Sequence, residues 1–297
     1  MFDAIQIDPV AFTIPLFGGI DIFWYGIIIT LGIMAGAMWA GREIEKRGQS
    51  SDELYNGLIL VVFSGYFFAR LTYVLFDVIG GNGYRYDTLL DVINIRAGGV
   101  NIMGGFVGAL IVGILFVRKR KLEFWHYADV AGPALLLAQA IGRWANFINQ
   151  ELYGPPTGSS WGLLINEPNR LLMYRDLSEF PLDTRFHPTF LYESVMLFVG
   201  FVLLVWLNGR YRDKWNSGSL FGVFMIWWGG NRAWVELFRP DQTTVGDTFI
   251  TYSMLLSIAI ALGGVYVLLL RNGKLPDRAQ KKREKKRVRK PKVKRNN

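Results

Sequence analysis

Seven stretches of the chain are dominated by apolar side chains: residues 22–40, 54–76, 100–117, 128–147, 189–207, 219–238 and 249–270. Each is close to the roughly 20 residues that a helix needs to cross the hydrocarbon of a bilayer. Short polar segments separate them. The last run is 22 residues without a charged side chain, the clearest signal of the set. The fourth is the least apolar, since it holds Asp129, Gln139, Arg143 and Asn146. The pattern predicts an all-α, polytopic integral membrane protein of about seven transmembrane helices.

Charge sets the expected orientation. With seven spans and the N-terminus outside, the inside segments are 41–53, 118–127, 208–218 and the C-terminal tail. They hold 3, 4, 3 and 14 Lys plus Arg, or 24 of the 33 in the chain. Arg70, Arg143 and Arg232 fall within spans, and six basic residues remain outside. Every short loop then obeys the bias of basic residues toward the cytoplasm. Deleting the fourth span would put either the tail or the Arg42–Arg47 loop outside, so seven is expected and not six. The C-terminus is therefore expected to be cytoplasmic. The first Lys or Arg is Arg42, beyond the first apolar run, so that run is expected to be a retained helix and not a cleaved signal peptide.

Composition narrows the chemistry. Hydrophobic residues make up 51% of the 297 and aromatics 15%, which leaves too little polar surface for a soluble domain of this length. There is no cysteine, which excludes disulfides, thiolate metal sites and a cysteine nucleophile in the protein itself. The two histidines, His126 and His187, are too few for a multi-histidine metal centre. The net charge of +9 owes most to residues 271–297, a basic tail without apolar periodicity that is expected to be disordered. It reads either as a solvated topogenic cluster or as an anchor on anionic lipid. The chain thus divides into a membrane domain, residues 1–270 with an outer loop at 148–188, and the tail at 271–297.

The polar residues inside the spans gather near one depth. Trp24 and Tyr25 open span one, Arg70 lies in the outer third of span two, and Asn101 and Met103 open span three. Arg143 and Asn146 close span four, Tyr192 and Glu193 open span five, and Arg232, Glu236 and Arg239 close span six. At 1.5 Å per residue, Arg143 is roughly 6 Å below the outer end of its span. A charge in mid-helix costs on the order of 3 kcal/mol on insertion scales. Arginines near helix ends can snorkel to water, and Arg232 and Glu236 share a helix face as a structural pair. A convergent set on several helices also suits an anion. Arginine grips phosphate bidentately and keeps its charge when desolvated. An anionic phospholipid headgroup is the ligand expected at that depth.

The segment Gly142-Arg143-Trp144-Ala145-Asn146-Phe147-Ile148-Asn149-Gln150-Glu151-Leu152-Tyr153-Gly154 resembles the signature of the bacterial prolipoprotein diacylglyceryl transferases. Four further pieces agree in order: Trp24-Tyr25-Gly26, Gly98-Gly99 through Gly104-Gly105, His187-Pro188-Thr189-Phe190-Leu191-Tyr192-Glu193, and Arg232 through Glu236 to Arg239. The resemblance covers residues from about 10 to 270 and leaves out the tail. It implies transfer of the diacylglyceryl group of phosphatidylglycerol to the thiol of a lipobox cysteine in a prolipoprotein. A thioether forms and glycerol phosphate leaves, the first step of bacterial lipoprotein maturation. It implies no cofactor and no metal, no nucleic acid, and a multi-pass protein of the bacterial cytoplasmic membrane. Its expected partners are phosphatidylglycerol and prolipoprotein signal peptides, and the absence of cysteine fits a thiol supplied by the substrate.

By motif position, Arg143 and Arg239 would be catalytic, holding the phosphate and stabilising its developing charge. Asn146 and Glu151 would orient the headgroup or brace the arginines. Tyr25 would face the headgroup, Gly154 would allow a tight turn, and Arg232, Glu236 and His187 would complete the substrate site. Bland readings stand beside these: a helix-terminal hydrogen bond for Asn146, an aromatic-belt anchor for Tyr25, and a structural role for His187. Trp24, Trp144 and Trp228 read as belt or packing residues. The sequence departs from the family pattern at Met103, usually His, at Trp228, commonly Tyr, and at Phe23, often His. Methionine cannot accept a proton, so a histidine base on helix three is missing here. The competing function is a transporter or scramblase for anionic phospholipids. A third reading is a scaffold that has lost activity. Transporters place their charges near the midplane, whereas these lie toward the outer end.

Overall fold

The computed structural model describes residues 7–15, 19–86, 88–93 and 99–275. The basic segment 276–297 and Gly98 of the third motif lie outside the described residues. The chain is mostly helical. A hairpin of β1 (Val10–Ile14) and β2 (Ile20–Phe23) precedes α1 (Trp24–Glu45) and α2 (Ser51–Asp77). A short α3 (Leu89–Ile93) leads to α4 (Ile102–Lys119) and α5 (Phe124–Asn149). The loop after α5 carries a two-stranded pair, β3 (Leu163–Leu164) and β4 (Arg185–Phe186), before α6 (Thr189–Tyr211), α7 (Ser219–Glu236) and α8 (Tyr252–Arg271). The seven long helices coincide with the seven apolar runs. Beside the helices the described residues hold one hairpin, β1–β2, and one short strand pair, β3–β4, whose strands are two to five residues long and too short to carry a periodic signal.

Among the described residues, five helices are long and apolar enough to cross a membrane: α1, α2 with the π-helical turn that follows it, α4, α6 and α8. The other two long helices, α5 and α7, are the ones that carry Arg143 with Asn146 and Arg232 with Glu236. Their polar residues dilute the apolar pattern because they serve other purposes. Asp129, buried in α5, accepts hydrogen bonds from the backbone of Gly218 and Phe221, both at 2.8 Å. A carboxylate there caps the start of α7 and matches the positive end of its dipole.

Two compact units make up the fold, residues 1–36 with 128–297, and residues 37–127. In the first, Leu136 and Ala140 of α5, Leu197 and Leu204 of α6, and Leu220 and Phe224 of α7 form a buried core. Small residues let backbones approach. A Cβ on Gly32 or Gly36 of α1 would sit 2.7 or 2.6 Å from the carbonyl oxygens of Ala138 and Ala134 on α5. Gly222 and Gly264 play the same part between α7 and α8. Close approach through small residues is how helices associate where no hydrophobic driving force acts between them. The loop between α5 and α6 has its own core of Tyr153, Leu163, Ile165, Tyr174, Phe186 and Phe190. Its centre is Arg170, fully buried over the Phe186 ring and donating to the carbonyls of Ile165, Phe180, Pro181 and Leu182.

In the second unit α2 packs on α4. Arg70 is buried there and donates Nε to the Val92 carbonyl, Nη1 to Gly99 and Nη2 to Asp91, at 2.8 to 2.9 Å. The guanidinium anchors the segment between α2 and α4. Five N–H donors fill a loop's carbonyls as readily as a phosphate's oxygens, and Arg70 is used in the first way. Asn101 caps α4 through its side-chain oxygen and the Gly104 N–H.

Candidate functional site

The site is built from the end of α5. Gln150 takes a left-handed conformation with φ of 52°, and the N–H groups of Gln150 and Glu151 return to the carbonyls of Phe147 and Asn146. That double closure ends the helix and folds the chain back on its last turn. The strained Gln150 is held by its side chain, whose oxygen accepts from the Asn166 N–H at 2.8 Å. The reversal brings Glu151 beside Asn146, which donates Nδ2 to Glu151 Oε1 at 2.8 Å. One turn earlier on the same face, Arg143 donates Nη1 to Asn146 Oδ1 at 3.3 Å. Its other terminal nitrogen, Nη2, meets Glu193 Oε1 of α6 at 2.9 Å. A continuous chain thus runs Glu193, Arg143, Asn146, Glu151.

The last turns of α7 supply two more guanidiniums. Arg232 Nη1 pairs with Glu236 Oε2 at 2.8 Å, and the other oxygen of Glu236 accepts from Thr251 Oγ1 at 2.9 Å. Thr251 also caps α8 by accepting from the Met254 N–H. Past the helix end, Arg239 Nη2 reaches Asp241 Oδ2 at 3.4 Å. Its Nε is buried and has no hydrogen-bond partner among the described residues. On α6, Tyr192, the neighbour of Glu193, packs against Trp234 and Phe238, so the Arg143–Glu193 pair lies beside the segment that carries Arg232 and Arg239. Asp241, in the loop after α7, titrates below the ordinary carboxylate range: partial burial pushes the other way, but the Gln242 hydrogen bond and the Arg239 charge outweigh it.

An aromatic wall flanks the cluster. His187 Nδ1 lies 3.0 Å from the Tyr192 hydroxyl, and the Phe238 ring contacts both side chains. Gly154 fits against this wall. A Cβ there would come within 2.8 Å of His187 Cβ and 2.9 Å of the Phe238 carbonyl. The expected tight turn at Gly154 is corrected by the backbone: the left-handed residues here are Gln150 and Leu152, and glycine at 154 serves close packing instead.

The structure therefore joins Arg143, Asn146, Glu151, Arg232, Glu236 and Arg239 in one cluster and seats His187 and Gly154 together beside it. Tyr25 stands exposed on the first turn of α1. The family model for prolipoprotein diacylglyceryl transferase matches residues 9–270 of the chain. The chain belongs to that family. A phosphatidylglycerol–prolipoprotein diacylglyceryl transferase of Chloroflexus aggregans is 37% identical over 279 residues, covering 88% of this chain and 90% of its own. Similarly named proteins of Bacillus mycoides and Bacillus cereus are each 36% identical over 268 residues, with 90% of this chain and 93% of theirs covered. The family match leaves the transporter or scramblase reading without support.

Within this diacylglyceryl transferase fold, sequence reasoning placed Glu193 at the depth of the arginines without pairing it, and missed Thr251 and Asp241. Glu193 is the carboxylate that holds Arg143, Thr251 the hydroxyl that steadies Glu236, and Asp241 the counterion of Arg239. Glu193 carries a signal that points to it, an ionisable residue at the start of an apolar run that needs a partner. Two of the three departures from the family pattern also find places. Trp228 donates its indole N–H to Gln139 at 2.9 Å, which ties α7 to α5. Met103 stands exposed on the first turn of α4 in the second unit.

Proposed function

We infer that the protein transfers the diacylglyceryl group of phosphatidylglycerol to the thiol of a prolipoprotein lipobox cysteine and releases glycerol phosphate. A thioether requires a new S–C bond, so the bond that breaks joins the diacylglyceryl carbon to its phosphate oxygen. Negative charge then grows on the phosphate. Arg143 and Arg239 bind that phosphate, with Arg232 adding to the field. A charge pair at about 4 Å is worth roughly 4 kcal/mol at an effective dielectric near 20. Asn146 acts as a brace: it accepts from Arg143 and leans on Glu151, so Arg143 is fixed before substrate arrives. Glu236 does the same for Arg232. Tyr25 faces the headgroup, and Gly154 and His187 shape the wall beside it. The attacking thiol has an unperturbed pKa near 8.5, and nearby positive charge favours the thiolate. Its proton leaves to water or to the departing phosphate, so no base on α4 is required.

The observation that carries this reading is the arginine cluster at the helix ends, with one arginine braced on two sides and another with a buried, unpartnered donor. All seven long helices cross the membrane in this account, with the N-terminus outside, the C-terminus in the cytoplasm and the cluster near the outer headgroups. The charge distribution of the short loops supports that orientation. The membrane is the bacterial cytoplasmic membrane, where secreted prolipoproteins emerge. Incubation of the purified protein with phosphatidylglycerol vesicles and a lipobox peptide tests the reaction. Mass spectrometry should find the peptide heavier by one diacylglyceryl group, and an unmodified peptide under conditions that keep the protein folded would refute it.

A further inference from the structure

Each of the three clustered arginines already has a carboxylate: Arg143 has Glu193, Arg232 has Glu236 and Arg239 has Asp241. Each guanidinium has five N–H donors, so an incoming phosphate binds most readily where a carboxylate holds its arginine most weakly. The three pairs are unequal. Their separations are 2.9, 2.8 and 3.4 Å, and the carboxylate side chains are 9%, 0% and 35% exposed. Glu193 and Glu236 sit on helices and are buried, and Thr251 grips Glu236 from the far side. Separating a buried pair leaves an uncompensated charge. Asp241 sits in a loop, its remaining tether is Gln242 at 3.1 Å, and water can receive its carboxylate.

The geometry of Arg239 points the same way. Its Nε and Nη2 form one edge of the guanidinium, the edge that an oxyanion takes with two parallel hydrogen bonds. Asp241 uses only Nη2, and at a long distance, while the buried Nε has no partner among the described residues. The edge is half used. A phosphate oxygen pair would fill both positions, recovering the donor that the carboxylate leaves empty.

We propose that Asp241 is a counter-anion that the phosphate of phosphatidylglycerol displaces from Arg239, so that Asp241 sets substrate affinity without taking part in the reaction. This rests on the diacylglyceryl transfer proposed above. Asp241 keeps Arg239 extended and neutralised until lipid arrives, then swings to water with the loop after α7. Its negative charge is a toll on every binding event, and Asn at this position keeps the shape while removing the charge.

Steady-state kinetics of Asp241→Asn against phosphatidylglycerol vesicles and a saturating lipobox peptide test this, with Asp247→Asn in the same loop as the control. The KM for phosphatidylglycerol should fall by about threefold to fivefold, the range of a half-exposed ion pair, with kcat within twofold of wild type. Asp247→Asn should leave both unchanged. A higher KM or a lower kcat in Asp241→Asn would make Asp241 a brace for Arg239 and overturn the proposal, as would no change in either. Thermal unfolding of each variant separates a folding defect from a kinetic one. If Asp241→Asn is destabilised, Gln242→Ala, which removes only the tether on Asp241, must lower the KM or the proposal fails. A wild-type protein that modifies no peptide would instead refute the transfer reaction itself.

Discussion

Replacing Arg143 by alanine should remove nearly all transferase activity while the protein stays folded at a lower melting temperature. The side chain joins Glu193 at 2.9 Å to Asn146 at 3.3 Å, so its loss breaks the chain of contacts in the middle. For activity, losing a hydrogen-bonded charge from a phosphate site should cost about 3 kcal/mol or more, around a hundredfold in rate. For stability, Glu193 is left a buried carboxylate without its arginine, a loss of up to about 3 to 5 kcal/mol for a fully buried pair. The quarter exposure of Arg143 reduces that figure, because water screens part of the interaction. The two effects separate in a double variant. Adding Glu193→Gln to Arg143→Ala removes the stranded charge and should raise the melting temperature again, but leave the rate low. Arg143→Lys should fold well and turn over poorly, because one ammonium cannot satisfy Glu193, Asn146 and a bidentate phosphate together. Initial rates with phosphatidylglycerol vesicles and a lipobox peptide, read by mass spectrometry, provide the assay. Near-normal turnover by Arg143→Ala, or recovery of rate together with stability in the double variant, would mean that Arg143 serves the fold alone.

Arg239→Ala should likewise abolish turnover with little loss of stability, since its Asp241 partner is half-exposed; a rate within tenfold of wild type would remove it from the phosphate site. Met103→His should keep activity and could raise it, because a general base is commonly worth about a hundredfold or more. If His187→Ala instead abolishes turnover while the protein stays folded, then His187 is the base. Cysteine placed in 281–297, in a background with no other cysteine, should be labelled only from the cytoplasmic side; labelling from outside would overturn the orientation. Arg170→Ala should cost several kcal/mol of stability, seen as a lower melting temperature, because at least four loop carbonyls lose their buried donor; an unchanged melting temperature would show that the outer loop does not depend on it.

The helices were legible because apolar length is a local property that survives in one dimension. Even the doubtful fourth run forms a helix, and Asp129, which weakened its signal, proves to be the cap of α7. One contact within a helix turn was also legible: Arg232 with Glu236 follows from spacing alone, whereas the brace of Asn146 on Arg143 is implied only by the motif. Partners from other elements were not. Nothing in the order of residues says that Glu193 meets Arg143, or that Thr251 reaches Glu236. The two buried arginines outside the cluster, Arg70 and Arg170, were opaque for a related reason. Their partners are mainly backbone carbonyls, which every residue has and no side chain announces. The motif points to Gly154 for a turn, whereas what requires glycine there is crowding by His187 and Phe238, which depends on chain segments far apart in sequence.

In the proposed reaction, sulfur attacks the diacylglyceryl carbon and glycerol phosphate is the leaving group. This can be read directly with phosphatidylglycerol whose diacylglyceryl glycerol carries heavy carbon while its headgroup glycerol does not. Wild-type protein and a lipobox peptide should give a peptide bearing the heavy label and both acyl chains on its cysteine, together with unlabelled glycerol phosphate. Unmodified peptide, label in the released glycerol phosphate, or acyl chains delivered without the glycerol backbone would contradict the account.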